Sequence, residues 1–224
     1  VVTVTVEKGD TLWNIALKYN DGKQEKRGAS MGYGGRLFGE KEFLPRLCTP
    51  RLSLRAMRVG DSADMFSYAS LPQVTEYLLW QPHESERATK RYLEYAQKLY
   101  RSGEMVDWAV TLKETGRMIG TCGFASLDGE NRSGEIGYVL HPDFWGKGLA
   151  AEALRAVMQY GFETLRLHRI EGRHMRGNES SGKVMQKCGM HYEGTLRDSL
   201  YVKGRFRTIV MYSVLEEEYA KSRP

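Results

Sequence analysis

The chain has 224 residues, is 41% hydrophobic, and carries 33 Lys and Arg against 28 Asp and Glu, a net charge of +5. A domain of ~150–200 residues buries close to 70% of its unfolded surface, so this length allows one full core with some chain left over. No apolar run approaches the ~18 residues that cross a bilayer, and the basic residues form no dense run. An integral membrane helix is therefore excluded, nucleic acid is not expected as a partner, and a phosphate-rich cofactor suits the charge equally well.

Cys48, Cys122 and Cys188 form no Cys-x-x-Cys pair, and the five histidines lack His-x-x-x-His spacing. Reduced thiols and no metal are expected. The start, Val1-Val2-Thr3-Val4-Thr5-Val6, alternates like a strand instead of building a signal-peptide core, which points to a cytoplasmic protein without membrane contact.

In chain order, Gly9-Asp10 turns the chain out of that first strand, and Asp10 can cap a helix whose Leu12, Ile15, Ala16 and Tyr19 share one face. Residues 1–22 resemble the first half of a LysM module, a small peptidoglycan- and chitin-binding fold. The second half is missing, because residues 23–46 run instead through a Gly-rich stretch that reads as a linker. Glycan binding by a peptidoglycan-binding chain stays open as an alternative to a remnant leader.

Residues 47–220 have the patterning of a compact α/β domain. Residues 49–55 alternate after Pro50, Gly60-Asp61 opens a helix through Met65, Phe66 and Ala69, and residues 85–100 form a longer amphipathic helix. Residues 73–80 fit a short helix or a turn. Three strands follow, over 106–112, 118–124 and 133–140, and their short connections favour an antiparallel meander. A helix runs from the Trp145-Gly146-Lys147-Gly148 loop to about Thr164, with Ala150, Ala153, Leu154, Val157, Met158 and Gly161 on one face. A strand over 169–173, a helix over 180–187 ended by Gly189, and strands over 191–196 and 206–215 complete the domain.

The chemistry is concentrated where the strand ending Tyr138, Val139, Leu140 leads through His141-Pro142-Asp143-Phe144 into Trp145, Gly146, Lys147, Gly148, Leu149, Ala150 and Ala151. Unshielded N–H groups and the positive helix terminus converge there, a natural cradle for a pyrophosphate. Glycines permit close backbone approach, and the two alanines keep the first turn uncluttered. A dinucleotide site is also suggested by Gly146-x-Gly148-x-x-Ala151 with Glu171 downstream, although five residues separate the strand from the first glycine. No P-loop motif is present, and a Gly-rich turn that merely starts a helix is the plain alternative.

Taken with Asn178-Glu179-Ser180-Ser181 and the later Glu193-Gly194, the order resembles the GNAT superfamily, in the branch of the ribosomal-protein N-terminal acetyltransferases. Five motifs carry it, from Pro50-Arg51-Leu52-Ser53-Leu54-Arg55 through Glu135-Ile136-Gly137-Tyr138 to that final pair. The resemblance implies a GNAT fold of the α/β (α+β) class, a mixed, mostly antiparallel central sheet flanked by helices with a short N-terminal extension. It implies acetyl-CoA as co-substrate in a split between two strands, its pantetheine on the backbone of Tyr138, Val139 and Leu140, its pyrophosphate on residues 145–151, and Asn178 anchoring the arm. It implies transfer to an amine acceptor, a peptide N-terminus or a small molecule, by direct attack in a ternary complex of a monomer or homodimer. The acceptor pocket is expected within residues 73–83 and 192–207. The tyrosine used as acid by many members is replaced by Met185, so Ser181 is the expected acid and Glu135 the expected base. A CoA-binding sensor without activity is the alternative on the same fold.

Overall fold

The computed structural model describes residues 44–221. The LysM-like segment and all of the linker before residue 44 lie outside the described residues. Eight strands form one sheet: β1 (Leu47–Cys48), β2 (Leu52–Arg55), β3 (Val106–Leu112), β4 (Met118–Asp128), β5 (Ser133–Leu140), β6 (Arg169–Met175), β7 (His191–Val202) and β8 (Arg205–Leu215). Their spatial order is β1-β2-β3-β4-β5-β6-β8-β7. Every neighbouring pair is antiparallel except β5 and β6, whose parallel pairing is made possible by the helical crossover between them.

The helices are α1 (Ser62–Ala69), α2 (Pro72–Thr75), α3 (Glu86–Ser102), α4 (Leu149–Glu163), α5 (Glu179–Lys187) and α6 (Glu216–Lys221). Helix α3 starts where Ser85 accepts a hydrogen bond from the Ala88 N–H and stops at Gly103, whose φ of 74° suits a C-terminal glycine. Its Thr89, Leu93, Ala96, Leu99 and Tyr100 are buried, so the expected amphipathic stripe faces the sheet. Helices α1 and α3 pack together on one face of the sheet, and α4 and α5 cover the other. Strand β3 is consequently buried on both faces. Trp108 points toward α4, edge-on to Tyr160 with ring centroids 5.2 Å apart, and donates its indole N–H to the Pro45 carbonyl at 2.7 Å.

Of residues 73–80, which fit a short helix or a turn, the helix takes those up to Thr75 and a turn begins at Glu76. Strands β7 and β8 run further than the pattern suggests, meeting at Lys203 and Gly204, both at positive φ, as a two-residue hairpin. Register shifts between Tyr192 and Gly194 and between Leu196 and Leu200 interrupt the alternation by which the extra residues would be read. The hairpin holds the 72–84 segment in place: Lys203 Nζ donates to the Thr75 carbonyl at 2.6 Å, and Leu79 packs with Met175, Val202 and Ile209.

Candidate functional site

The junction between β5 and α4 is built from backbone. Gly146 and Gly148 have φ of 73° and 75°, a region L side chains rarely enter, and a Cβ on Gly146 would meet nothing within 4 Å. Gly148 is the N-cap of α4 and supplies no side-chain acceptor, so the first-turn N–H groups remain available to an anion. Trp145, half-exposed, donates its indole N–H to the Leu140 carbonyl at 2.8 Å and ties the loop to the strand end.

A brace from the start of the domain holds this loop. Arg51 donates to the Lys147 carbonyl at 3.0 Å and to Glu152 at 2.6 Å, and Thr49 donates to Glu152 at 2.6 Å. Partial burial raises the Glu152 carboxyl, but hydrogen bonds from Thr49 and Arg51 outweigh it and hold the group below the usual range.

Strands β5 and β6 pair only over Ser133, Gly134 and Glu135 against Arg169, Ile170 and Glu171. Beyond these residues the two strands continue without pairing, so the edge of β5 at 136–140 faces a split. Tyr138 spans it toward α5: its hydroxyl donates to the Ser181 carbonyl at 2.8 Å and lies 2.8 Å from Ser181 Oγ. Burial raises the Tyr138 phenol, with the Ser181 hydrogen bond opposing, so it stays protonated at neutral pH. Asn178 is the N-cap of α5 and accepts from the Ser180 hydroxyl at 2.9 Å. Glu135, at the last paired position, makes a 2.8 Å ion pair with Arg173. Burial raises its carboxyl, Arg173 lowers it, and the upward shift prevails.

On the opposite face, a cavity of about 400 Å³ runs from Gly137, Tyr138 and Val139 to Asp107, beneath a wall that includes Trp80, His83, Tyr92 and Tyr95. Of the two segments expected to shape an acceptor pocket, 73–83 contributes Leu78, Trp80, Gln81, Pro82 and His83 to the lining but nothing from its first five residues, and the lining includes no residue of 192–207. Asp107 is 9% exposed, and burial pushes its carboxyl up to about 7 against the N–H of Trp108, which lowers it. Tyr100 donates to the Asp107 carbonyl oxygen at 2.6 Å, fixing the backbone there.

The structure thus gathers Tyr138, Val139 and Leu140, the 145–151 loop, Asn178 and Ser181 on β5, α4 and α5. It places Glu135 at the closed end of the split, outside the cavity lining, with Arg173. Sequence reasoning missed Arg51 and Asp107. The available signal for Asp107 was a lone carboxylate in an otherwise apolar strand, where charge is seldom buried without a task.

The Acetyltransferase (GNAT) domain family matches residues 51–191, and the LysM domain family matches residues 4–25. The Bacillus licheniformis protein named uncharacterized N-acetyltransferase p20 is 38% identical over 174 residues, covering 78% of this chain and 98% of that protein. The ribosomal protein uS5-alanine N-acetyltransferase of Escherichia coli strain K12 is 25% identical over 196 residues, covering 84% of this chain and 100% of that one. A crystal structure of a GNAT-family acetyltransferase from Bacillus anthracis aligns with a TM-score of 0.70 and 27% identity, covering 77% of this chain and 99% of its own. With the family match running over more than half of its length, a GNAT sheet and relatives aligned almost end to end, the chain belongs to the GNAT acetyltransferase family.

Proposed function

We propose that this acetyltransferase moves an acetyl group from acetyl-CoA to a primary amine by direct attack in a ternary complex. One observation carries the reading: the stretch of β5 that leaves β6 unpaired, 136–140, is also where the cavity on the other face begins. A thioester laid along that edge and an amine in the cavity would meet without crossing a strand.

The residues present fit the co-substrate. Gly146, Gly148 and the uncapped first turn of α4 would take the pyrophosphate, the open edge at Tyr138, Val139 and Leu140 the pantetheine, with Asn178 beside it. Acetyl-CoA supplies an activated acyl group whose departing sulfur needs a proton. Ser181 would deliver that proton, with the Tyr138 hydroxyl at 2.8 Å to replace it. Glu135 can serve as base only if its pair with Arg173 opens, so its first role in this reading is to hold Arg173 at the closed end of the split.

The LysM-like residues 1–22 and the linker of 23–46 form, in this reading, an extension that catalysis does not need. Calorimetric titration with acetyl-CoA, followed by thiol-release assays against small amines and peptides with free N-termini, tests the proposal. Tight acetyl-CoA binding and release of CoA only with an amine present are expected. A folded protein with no acetyl-CoA affinity would remove the reading.

A further inference from the structure

Across the sheet at a single register, Asp107 of β3 stands opposite Gly123 of β4, which stands opposite Gly137 of β5. All three line the cavity. A Cβ on Gly123 would lie 2.7 Å from Asp107 Oδ1 and 2.4 Å from the Asp107 Cα, so the carboxyl leans over this glycine and any side chain there would displace it. The two glycines leave a bare lane from the carboxyl to the β5 edge. Since adjacent strands lie about 4.8 Å apart, a nitrogen hydrogen-bonded to Oδ1 would rest next to the segment where β5 parts from β6.

Charge completes the geometry. The titratable groups interacting with the carboxyl are Tyr68 of α1, Tyr92 and Tyr100 of α3, and Cys122 of β4, all raised by burial and neutral at pH 7. His83 in the cavity wall is lowered to about 4 by burial, so it too is uncharged. Glu84 and Arg91 also line the cavity. Among the described residues, no Lys, Arg or His contributes to the protonation of Asp107. A buried carboxylate without a cation is costly, and a cationic ligand among aromatic rings removes that cost.

We propose that Asp107 binds the ammonium of a small primary amine whose apolar body lies among Trp80, Tyr92 and Tyr95, and that it takes the proton that must leave before attack. This rests on the amine-acetyltransferase reading and names its acceptor and its base. The carboxylate accepts one proton from R–NH3+, giving R–NH2 and a carboxylic acid. The nitrogen lone pair then forms the C–N bond while the C–S bond breaks with its electron pair on sulfur. As the amide forms, the second nitrogen proton leaves to solvent and the sulfur takes the Ser181 proton. Ser181 is refilled through Tyr138 by a proton from solvent, and Asp107 returns its own proton to solvent, so one proton is released per turnover. The group is matched to this duty, since its carboxyl sits at about 7, near the working pH of a base.

The test compares the full chain with Asp107→Asn, using 2-phenylethylamine and n-hexylamine as acceptors and a peptide with a free N-terminal alanine as the contrast. The small amines are expected to be acetylated in preference to the peptide, with kcat/KM falling as pH drops below about 7. Asp107→Asn should lose about a hundredfold or more in kcat/KM, lose that acidic limb, and keep its acetyl-CoA affinity. Its fold is checked separately. The folded carboxyl is raised from 3.8 to about 7, so wild-type stability should fall as pH rises between those values, and the variant should lack that fall. A folded variant that keeps its turnover and acidic limb overturns the base, and preference for the peptide overturns the acceptor class. Failure of the wild type to bind acetyl-CoA would instead sink the parent reading.

Discussion

The two faces of strand β5 are built from different materials. Toward α4 and α5, the site proposed for the co-substrate is backbone: two glycines at positive φ, an uncapped helix start and an unpaired strand edge, all within residues 136–151. Toward α1 and α3, the cavity proposed for the acceptor is lined by side chains drawn from β3, β4, α3 and residues 78 and 80–84. Backbone geometry suits a co-substrate shared by a whole family, whereas side chains can change one at a time without disturbing it. If both proposed sites hold, cofactor and acceptor specificity are separable in this domain.

The separation breaks most sharply if a residue of the α5 side alters chemistry without altering binding. Ser181→Ala should lower kcat about a hundredfold while acetyl-CoA affinity, measured by calorimetry, stays unchanged. Equal loss in affinity would move Ser181 from proton delivery to binding.

Gly148→Val tests the backbone half. Forcing a β-branched residue to φ of 75° costs about 1–3 kcal/mol, so acetyl-CoA binding should weaken by about tenfold to a hundredfold if the loop must hold its shape to bind. The melting temperature should fall by only a few degrees, because the loop is exposed. Unchanged affinity in the folded variant would detach the loop from the co-substrate.

Glu135→Gln sharpens the boundary between the faces. With the carboxylate already held by Arg173, turnover should fall less than about tenfold, below the 10²–10⁴ typical of a positioned base. The acidic limb of the pH–rate profile should persist. Its disappearance would return the base to Glu135.

The smallest effect is expected from removing residues 1–43. Acetyl-CoA affinity and turnover should match those of the full chain, and the LysM-like segment alone should not be retained on peptidoglycan. Retention at moderate salt would give that segment a glycan-binding role of its own.

What was legible in the sequence follows the same division. The strand, loop and helix over 133–163 are contiguous, and positive-φ glycines, small first-turn residues and helical periodicity each leave a local mark. The fold class followed from the three-strand meander and the order of the motifs. The Arg51 brace joins residues 101 positions apart, and the Tyr138–Ser181 contact joins residues 43 apart. Asp107 gains its meaning only from Gly123 and Gly137 beside it in the sheet. None of these pairings has a spacing that periodicity could detect, because registers between strands are set by packing and turns elsewhere.

The indole of Trp145 hangs half in water at the loop, hydrogen-bonded to the end of β5, while Trp108 is sealed in the core and Trp80 lies in the wall of the cavity. The described domain therefore carries its own optical reporters. Emission from Trp145 should shift as the loop loses solvent on cofactor docking, Trp80 should respond to occupants of the cavity, and Trp108 provides a constant background. In a chain without residues 1–43, which removes Trp13, a titration with two ligands could then be followed in order of binding without attaching a dye.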